Sequence, residues 1–234
     1  MNNGFLNVLI FDGDVCIAGT RSAAARTANA GDPAVCVAGY AAVNGFKIKS
    51  VNLILKTFEC ALRFEQLPKL NDGDLRGFVE NNIDDYFPMP LEGYTVSYRR
   101  WPGVGADFVC LAAAPDTLTR PYMEAFTRLK INVNKIDIYQ NAAADFLKLS
   151  ETAALVALKK GSRINATLIQ NGRILAARDM HDSGETVVFA RMYGLDIKEM
   201  KIYAADFETD FITAFLPGYE IMQIDSEALA TAYA

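Results

Sequence analysis

Twice in this chain an Asx-Gly pair separates two apolar, strand-like runs, and no other feature narrows the available folds as far. Leu9-Ile-Phe-Asp-Gly-Asp-Val-Cys-Ile17 and Leu168-Ile-Gln-Asn-Gly-Arg-Ile-Leu-Ala176 both read as tight antiparallel hairpins. The two central residues of a type I′ turn need positive φ, which Asn or Asp followed by Gly tolerates best. One hairpin opens each half of the chain, a faint internal echo that suggests two lobes.

Between and after the hairpins, strands and helices alternate. Asp32-Pro33 is a helix start, with Asp as N-cap and Pro at the first helical position, and Asn44-Gly45 is its stop. Strands are expected at 51–57 and 60–67, the second with half-buried alternation. Asn71-Asp-Gly-Asp74 opens a helix whose Leu75, Phe78, Val79, Ile83 and Tyr86 share one face, and Pro88 and Pro90 end it. Strands follow at 94–101 and 108–113, then a helix at 117–130, a strand at 133–138 and a helix at 140–149. The second half has strands at 154–158, 164–170, 173–177, 200–203 and 219–224. Its helices fall at 183–193, 207–215 and from Ser226 onward. This alternation implies α/β layers with mixed sheets, and no low-complexity linker separates the lobes.

Composition excludes several function classes. With 234 residues, 51% of them hydrophobic, the chain can bury a real core and is not disordered. Its 23 Lys plus Arg are outnumbered by 28 Asp plus Glu and do not cluster, so no nucleic-acid partner is expected. Cys16, Cys36, Cys60 and Cys110 form no CxxC pair and sit in apolar stretches, as buried thiols do. One histidine, His181, cannot build a multi-His metal site, and no metal is expected. With Asp179 or Asp182 it could serve a hydrolase, but no nucleophile motif accompanies it. No secretory signal is read at the N-terminus, and no apolar run reaches the ~20 residues of a membrane helix.

The run Val51-Asn-Leu-Ile-Leu-Lys-Thr-Phe-Glu-Cys-Ala-Leu-Arg-Phe-Glu-Gln-Leu-Pro68 resembles the PilM family of type IV pilus assembly proteins, with two strands closed by Leu-Pro. The acidic helix that follows ends in Tyr86-Phe-Pro-Met-Pro-Leu91, the most specific segment of the resemblance. Cys110-Leu-Ala-Ala-Ala-Pro-Asp-Thr117 and Asn171-Gly-Arg-Ile-Leu-Ala-Ala-Arg-Asp179 extend it, so that order and spacing hold from about Asp32 to Asp179. The cytoplasmic domain of GspL proteins of type II secretion shares the architecture. The resemblance implies an actin-like (RNase H-like) two-lobed α/β fold with mixed sheets, reduced and lacking a complete nucleotide-binding subdomain. Residues 1–150 would form the first lobe, with an inserted subdomain at about 70–105, and residues 151–234 a reduced second lobe.

Actin-like ATPases hold phosphates on two Gly-containing hairpin loops, each led by an Asp, and adenosine against a Gly-Gly turn. Small residues are needed there because backbone N–H groups must touch the nucleotide directly. Asp12-Gly13 lacks the Asp-x-Gly-Ser/Thr run followed by Lys, and reads as a later hairpin with the phosphate strand and loop absent. Leu155-Val-Ala-Leu-Lys-Lys-Gly-Ser-Arg163 keeps Gly161 but puts Lys159 where the family has Asp, and lysine cannot ligate Mg²⁺. Lys201-Ile-Tyr-Ala-Ala-Asp206 has Ala204-Ala205 in place of Gly-Gly. No cofactor and no catalytic residue are therefore expected.

The expectation is a non-enzymatic scaffold at the inner face of the cytoplasmic membrane. By resemblance it binds the tail peptide of a PilN-type membrane protein, the assembly ATPase, or both, and self-association into a homo-oligomer is left open. Membrane contact would be indirect or through a segment outside this chain. Candidate partner-binding residues are Tyr86, Phe87, Pro88, Met89, Pro90 and Leu91, set against a core role for Phe87 and Met89. The Arg99-Arg100-Trp101 trio is a second candidate, set against an edge strand with Arg stacked over Trp. The alternative function is a nucleotide-binding actin-like ATPase or switch, which needs Gly161, Ser162 and a nearby cation to retain phosphate affinity.

Overall fold

The computed structural model describes residues 3–11, 14–19, 22–28, 30–45, 47–147 and 153–233. The chain begins with β1 (Asn3–Phe11), β2 (Asp14–Gly19), β3 (Ser22–Thr27), α1 (Pro33–Val43) and β4 (Lys47–Leu55). It continues with β5 (Ala61–Pro68), α2 (Asp72–Tyr86), β6 (Tyr94–Pro102) and β7 (Ala106–Pro115). After these come α3 (Asp116–Arg128), β8 (Asn132–Ile138), α4 (Tyr139–Phe146), β9 (Ala154–Lys160), β10 (Arg163–Gln170) and β11 (Arg173–Met180). Last are α5 (Ser183–Met192), β12 (Lys201–Ala205), α6 (Thr209–Phe215), β13 (Ile221–Ile224) and α7 (Ser226–Ala232), with a 3₁₀ turn at Ile197–Glu199. Two compact units result: Met1–Thr57 with Pro121–Ala234, and Phe58–Arg120.

The larger unit holds two five-stranded sheets, ordered β3-β2-β1-β4-β8 and β11-β10-β9-β12-β13. In the first, β1 is antiparallel to β2 and β2 to β3, while β4 is parallel to both β1 and β8. The second repeats this pattern: β9, β10 and β11 are antiparallel in turn, and β12 is parallel to β9 and β13. Helices fall at matching points, α1 with α5, α3 with α6, and α4 with α7. The echo heard in the sequence is therefore a repeat of topology, one hairpin out of register with the sequence reading. The β1–β2 hairpin, with Phe11 opposite Asp14, corresponds to the β9–β10 hairpin at Gly161-Ser162, not to the one at Asn171-Gly172.

Local chemistry accounts for the elements. Asp32 caps α1, its Oδ1 accepting from the Ala34 N–H at 2.9 Å with Pro33 at the first position. The β10–β11 turn takes φ of 53° at Asn171 and 70° at Gly172, the positive pair that Asn-Gly favours. β9 is buried along Ala154–Leu158 and β4 along Val51–Leu55, since both lie inside sheets covered on two faces. In the second lobe Leu155, Ile164, Leu168, Ala190, Ile202, Ile212 and Leu216 form one core.

The smaller unit is a three-stranded antiparallel sheet, β5-β7-β6, under α2. Asn71 caps the helix through the Asp74 N–H at 2.9 Å. Leu75 and Val79 of α2 bury against Leu67, Val109, Leu111 and Ala113, with Phe78, Ile83 and Tyr86 packed around them. Phe87 leaves the helix in extended backbone, as the residue before Pro88 must, and drops into the same core at 4% exposure.

Candidate functional site

In open α/β sheets ligands sit beyond the carboxyl ends of the parallel strands. Here the chain fills that place with its own side chains. Phe11, the last residue of β1, stacks on Phe207, just past β12, with centroids 3.9 Å apart and planes 7° from parallel. The Arg26 guanidinium of β3 lies 5.1 Å from the Phe11 centroid and 5.5 Å from that of Phe207. Arg26 also pairs with Asp14 at 2.9 Å and Asp206 at 3.4 Å, and the Ser226 hydroxyl donates to Asp206 at 2.6 Å. Lys56, just past β4, is salt-bridged to Glu208, and the two side chains are 1% and 3% exposed. The second Glu208 oxygen accepts the Lys159 backbone N–H at 2.9 Å. Tyr139, just past β8, is fully buried, and its hydroxyl has no partner among the described residues. Burial, and behind it the charges of Asp206 and Glu208, holds that hydroxyl well above the ordinary tyrosine pKa.

In the smaller unit the expected partner-binding residues divide between two faces of one sheet. Phe87 is core, Tyr86, Met89 and Leu91 pack around it, and Pro88 and Pro90 are exposed. The Arg63 guanidinium sits 5.9 Å from the Phe87 ring, and its Nε donates to the Tyr86 carbonyl at 3.0 Å. Strand β6 alternates: Val96 and Tyr98 pack toward α2, and Arg100 follows them, donating to the Leu70 carbonyl at 2.9 Å and pairing with Asp72 at 3.1 Å. Arg99 and Trp101 therefore belong to the opposite face, where register sets Trp101 beside Phe108, and Arg99 beside Cys110 and, beyond it, Phe64. Arg99 stacks over the Trp101 ring, 5.1 Å from its centroid. The Trp101 Nε1–H is buried with no acceptor among the described residues. β6 is an edge strand, with β7 as its one sheet neighbour among those residues.

No family profile matches the chain, and no curated protein does. Solved structures do. The PilM-PilN type IV pilus biogenesis complex aligns with a TM-score of 0.65 at 15% identity, over 97% of this chain and 89% of that one. A Bacteroides thetaiotaomicron protein with an actin-like ATPase fold and unknown function gives 0.53 at 9% identity, over 99% and 96%. The cytoplasmic domain of EpsL, an inner membrane component of the type II secretion system of Vibrio cholerae, gives 0.53 at 13%, over 96% and 87%. The chain has the actin-like fold.

On an actin-like frame the three expected phosphate and adenosine positions can be placed. The first hairpin is not a later one with its phosphate strand missing. β1 stands in its lobe as β9 does in the second, parallel to one strand and antiparallel to the next. Asp12 and Gly13 themselves lie outside the described residues. At the second hairpin Gly161 keeps a positive φ of 63°, but Lys159 turns its ammonium to Phe211, 4.9 Å from the centroid, and Lys160 pairs with Asp179. Ala204 and Ala205 are fully buried inside β12, so what faces the crevice is Asp206-Phe207-Glu208. Phe11, Arg26, Lys56, Phe207 and Glu208 were not singled out in the sequence. A local signal exists for Phe11 and Lys56, an aromatic or charged residue closing an apolar strand, and none for Arg26, Phe207 and Glu208.

The carboxylates near His181 are committed elsewhere. Asp182 caps α5 through the Glu185 N–H at 2.9 Å, and the Glu185 carboxylate accepts from the backbone N–H of His181, not its ring, at 2.7 Å. Asp179 accepts from Asn165 at 2.9 Å and from Lys160. Burial raises the Asp179 pKa, but those hydrogen bonds and the Lys160 charge outweigh it and bring it below the ordinary value. No disulfide joins the four cysteines, and burial pushes the Cys16 thiol up to about 12, which leaves it inert.

Proposed function

We propose that this chain is a non-enzymatic scaffold of a type IV pilus or type II secretion inner-membrane assembly platform. It works at the inner face of the cytoplasmic membrane and binds the tail of a PilN-type membrane protein, the assembly ATPase, or both. One observation carries the reading. The crevice where an actin-like ATPase would hold nucleotide is filled by the Phe11–Phe207 stack and the dry Lys56–Glu208 pair. Glu208 takes the backbone N–H that a phosphate would need at the second hairpin. A nucleotide-dependent switch would have to expel all of these groups. In this reading residues 1–150 act as the first lobe with its inserted subdomain, and 151–234 as the reduced second.

Partner docking falls to the smaller unit. Its strand β6 has β7 as its one sheet neighbour among the described residues, which leaves an edge for an extended peptide, and the Trp101 Nε1–H is buried with no acceptor among those residues. Arg99 can close over an acidic or carbonyl group there, and the exposed Pro88 and Pro90 give a rigid border. The test is fluorescence anisotropy with labelled N-terminal tail peptides of PilN-type proteins. Saturable binding that weakens at least about tenfold in Trp101→Ala and in Arg99→Glu is expected, the weight of a buried aromatic or Arg anchor. Binding that ignores both substitutions, or no binding across the tail panel, defeats the docking assignment.

A further inference from the structure

The second sheet ends at β13, which has β12 as its one sheet neighbour among the described residues. Ile221 and Met222 are half-buried there and Gln223 is exposed, and the outer edge of the strand has no strand partner among the described residues. Sheets normally shield such an edge or use it. Beside it opens a cavity of about 530 Å³, walled by Ile197, Met200, Pro217, Tyr219 and Met222. The cavity lies at the opposite end of β12 from the filled crevice, since Lys201 and Ile202 line it whereas Asp206 and Glu208 face the crevice.

Lys198 and Lys201 also line this cavity, and both are exposed. Lys198 uses its backbone N–H on Asp196 at 3.0 Å, but neither ammonium has an ion pair or hydrogen bond among the described residues. Glu220 is the one acidic residue of the lining. Two uncommitted cations around an apolar hollow stand out in a chain of net charge −5. Two thioether side chains in the wall let the hollow adapt to different apolar groups.

We propose that β13 and this cavity form a docking site for an extended acidic segment of a partner protein, distinct from the β6 site. The segment adds a strand beside β13, seats one large apolar side chain among Met200, Tyr219 and Met222, and sets Asp or Glu carboxylates on Lys198 and Lys201. In a strand, side chains two residues apart share a face, so the motif is an apolar residue with an acid two positions away. An anionic lipid could meet the lysines but would leave the open strand edge unused.

The experiment is anisotropy with labelled eight-residue peptides in which a Val, Leu or Phe has Glu two positions away on either side, with Thr at the intervening positions, and a matched set with Lys for Glu. The acidic set should bind saturably and the basic set at least tenfold more weakly. The Lys198→Glu/Lys201→Glu double variant changes only exposed side chains, so it should keep the native melting temperature while losing the acidic peptides at least tenfold. Hydrogen exchange should slow at residues 221–224 when the acidic peptide is present. Equal binding of the two sets, binding undiminished by the double reversal, or no slowing at 221–224 overturns the proposal. So does binding of phosphatidylglycerol vesicles without any binding of the peptides. The β6 substitutions Trp101→Ala and Arg99→Glu should leave this binding unchanged, which separates failure here from failure of the tail-docking reading.

Discussion

Lys56 and Glu208 come from opposite lobes and are nearly removed from water, at 1% and 3% side-chain exposure. At that depth the desolvation of two charges offsets most of their attraction, whereas stranding one of them is costly. Lys56→Met alone, or Glu208→Leu alone, should therefore lower the unfolding free energy by about 3–5 kcal/mol. The double variant should recover most of that loss, short by ~1 kcal/mol because the Lys159 N–H loses its acceptor. Urea unfolding at pH 7 of the four proteins in the cycle measures it. Losses that simply add would show that the two side chains act independently. The same logic explains why the sequence hid this pair. Lys56 falls inside the strand expected over 51–57 with nothing local to mark its partner, and Glu208 is one more acid in an acidic chain.

At the scale of elements, α7 belongs by sequence to the second lobe but is fastened to the first. The Asn7 side chain donates to the Ala230 carbonyl at 2.8 Å, and the Tyr233 hydroxyl donates to Asp137. Asp137 also accepts from Lys135 at 2.8 Å, from Asn141 at 2.7 Å and from the Ile138 N–H at 2.8 Å. Burial raises its pKa, but the Lys135, Tyr233 and Asn141 interactions outweigh burial and hold it below the ordinary carboxylate value. A depressed folded pKa stabilises the protein above the unfolded value of about 3.9, and that stability is lost as pH falls through the folded pKa. The melting temperature should thus drop below about pH 4. Asp137→Asn should start roughly 2–3 kcal/mol less stable at pH 7, the weight of a charged hydrogen bond, and show a flatter acid limb. An unchanged acid limb in that variant would assign the drop to other carboxylates.

Elements with strong periodicity or caps were legible in sequence: α1 from Asp32-Pro33, α2 from its apolar face, and the strands flanking Asn171-Gly172. β3 was not. Ser22-Ala-Ala-Ala-Arg-Thr27 has neither alternation nor large apolar residues, and it forms because β2 pairs with it. Its absence from the sequence reading is what shifted the internal echo by one hairpin. The expected helix over 140–149 is seen as far as Phe146, and its last two residues lie outside the described residues.

For the whole molecule, repeated topology explains both what was readable and what was not. The strand and helix order of each lobe is local information, whereas the crevice gathers residues 11, 26, 56, 139 and 208 from five separate places along the chain. No window of sequence contains that set, and the expectation drawn from Lys159 and Ala204-Ala205 rests on partly different grounds from those the crevice offers. Lys159 matters through its backbone N–H, and the alanines are strand interior. The physical obstacle is the aromatic stack and the Glu208 carboxylate, which would have to leave together before a triphosphate could approach. If they stay, saturating MgATP should not move the melting temperature. A ligand at ~100-fold excess over its Kd adds ~2.7 kcal/mol. In a chain of this length that is a rise of roughly 5–10 °C, well within calorimetric reach. A rise of that size in the native protein, absent in Lys56→Met/Glu208→Leu, would mean that the clasp opens for nucleotide, and the proposed scaffold would become a switch.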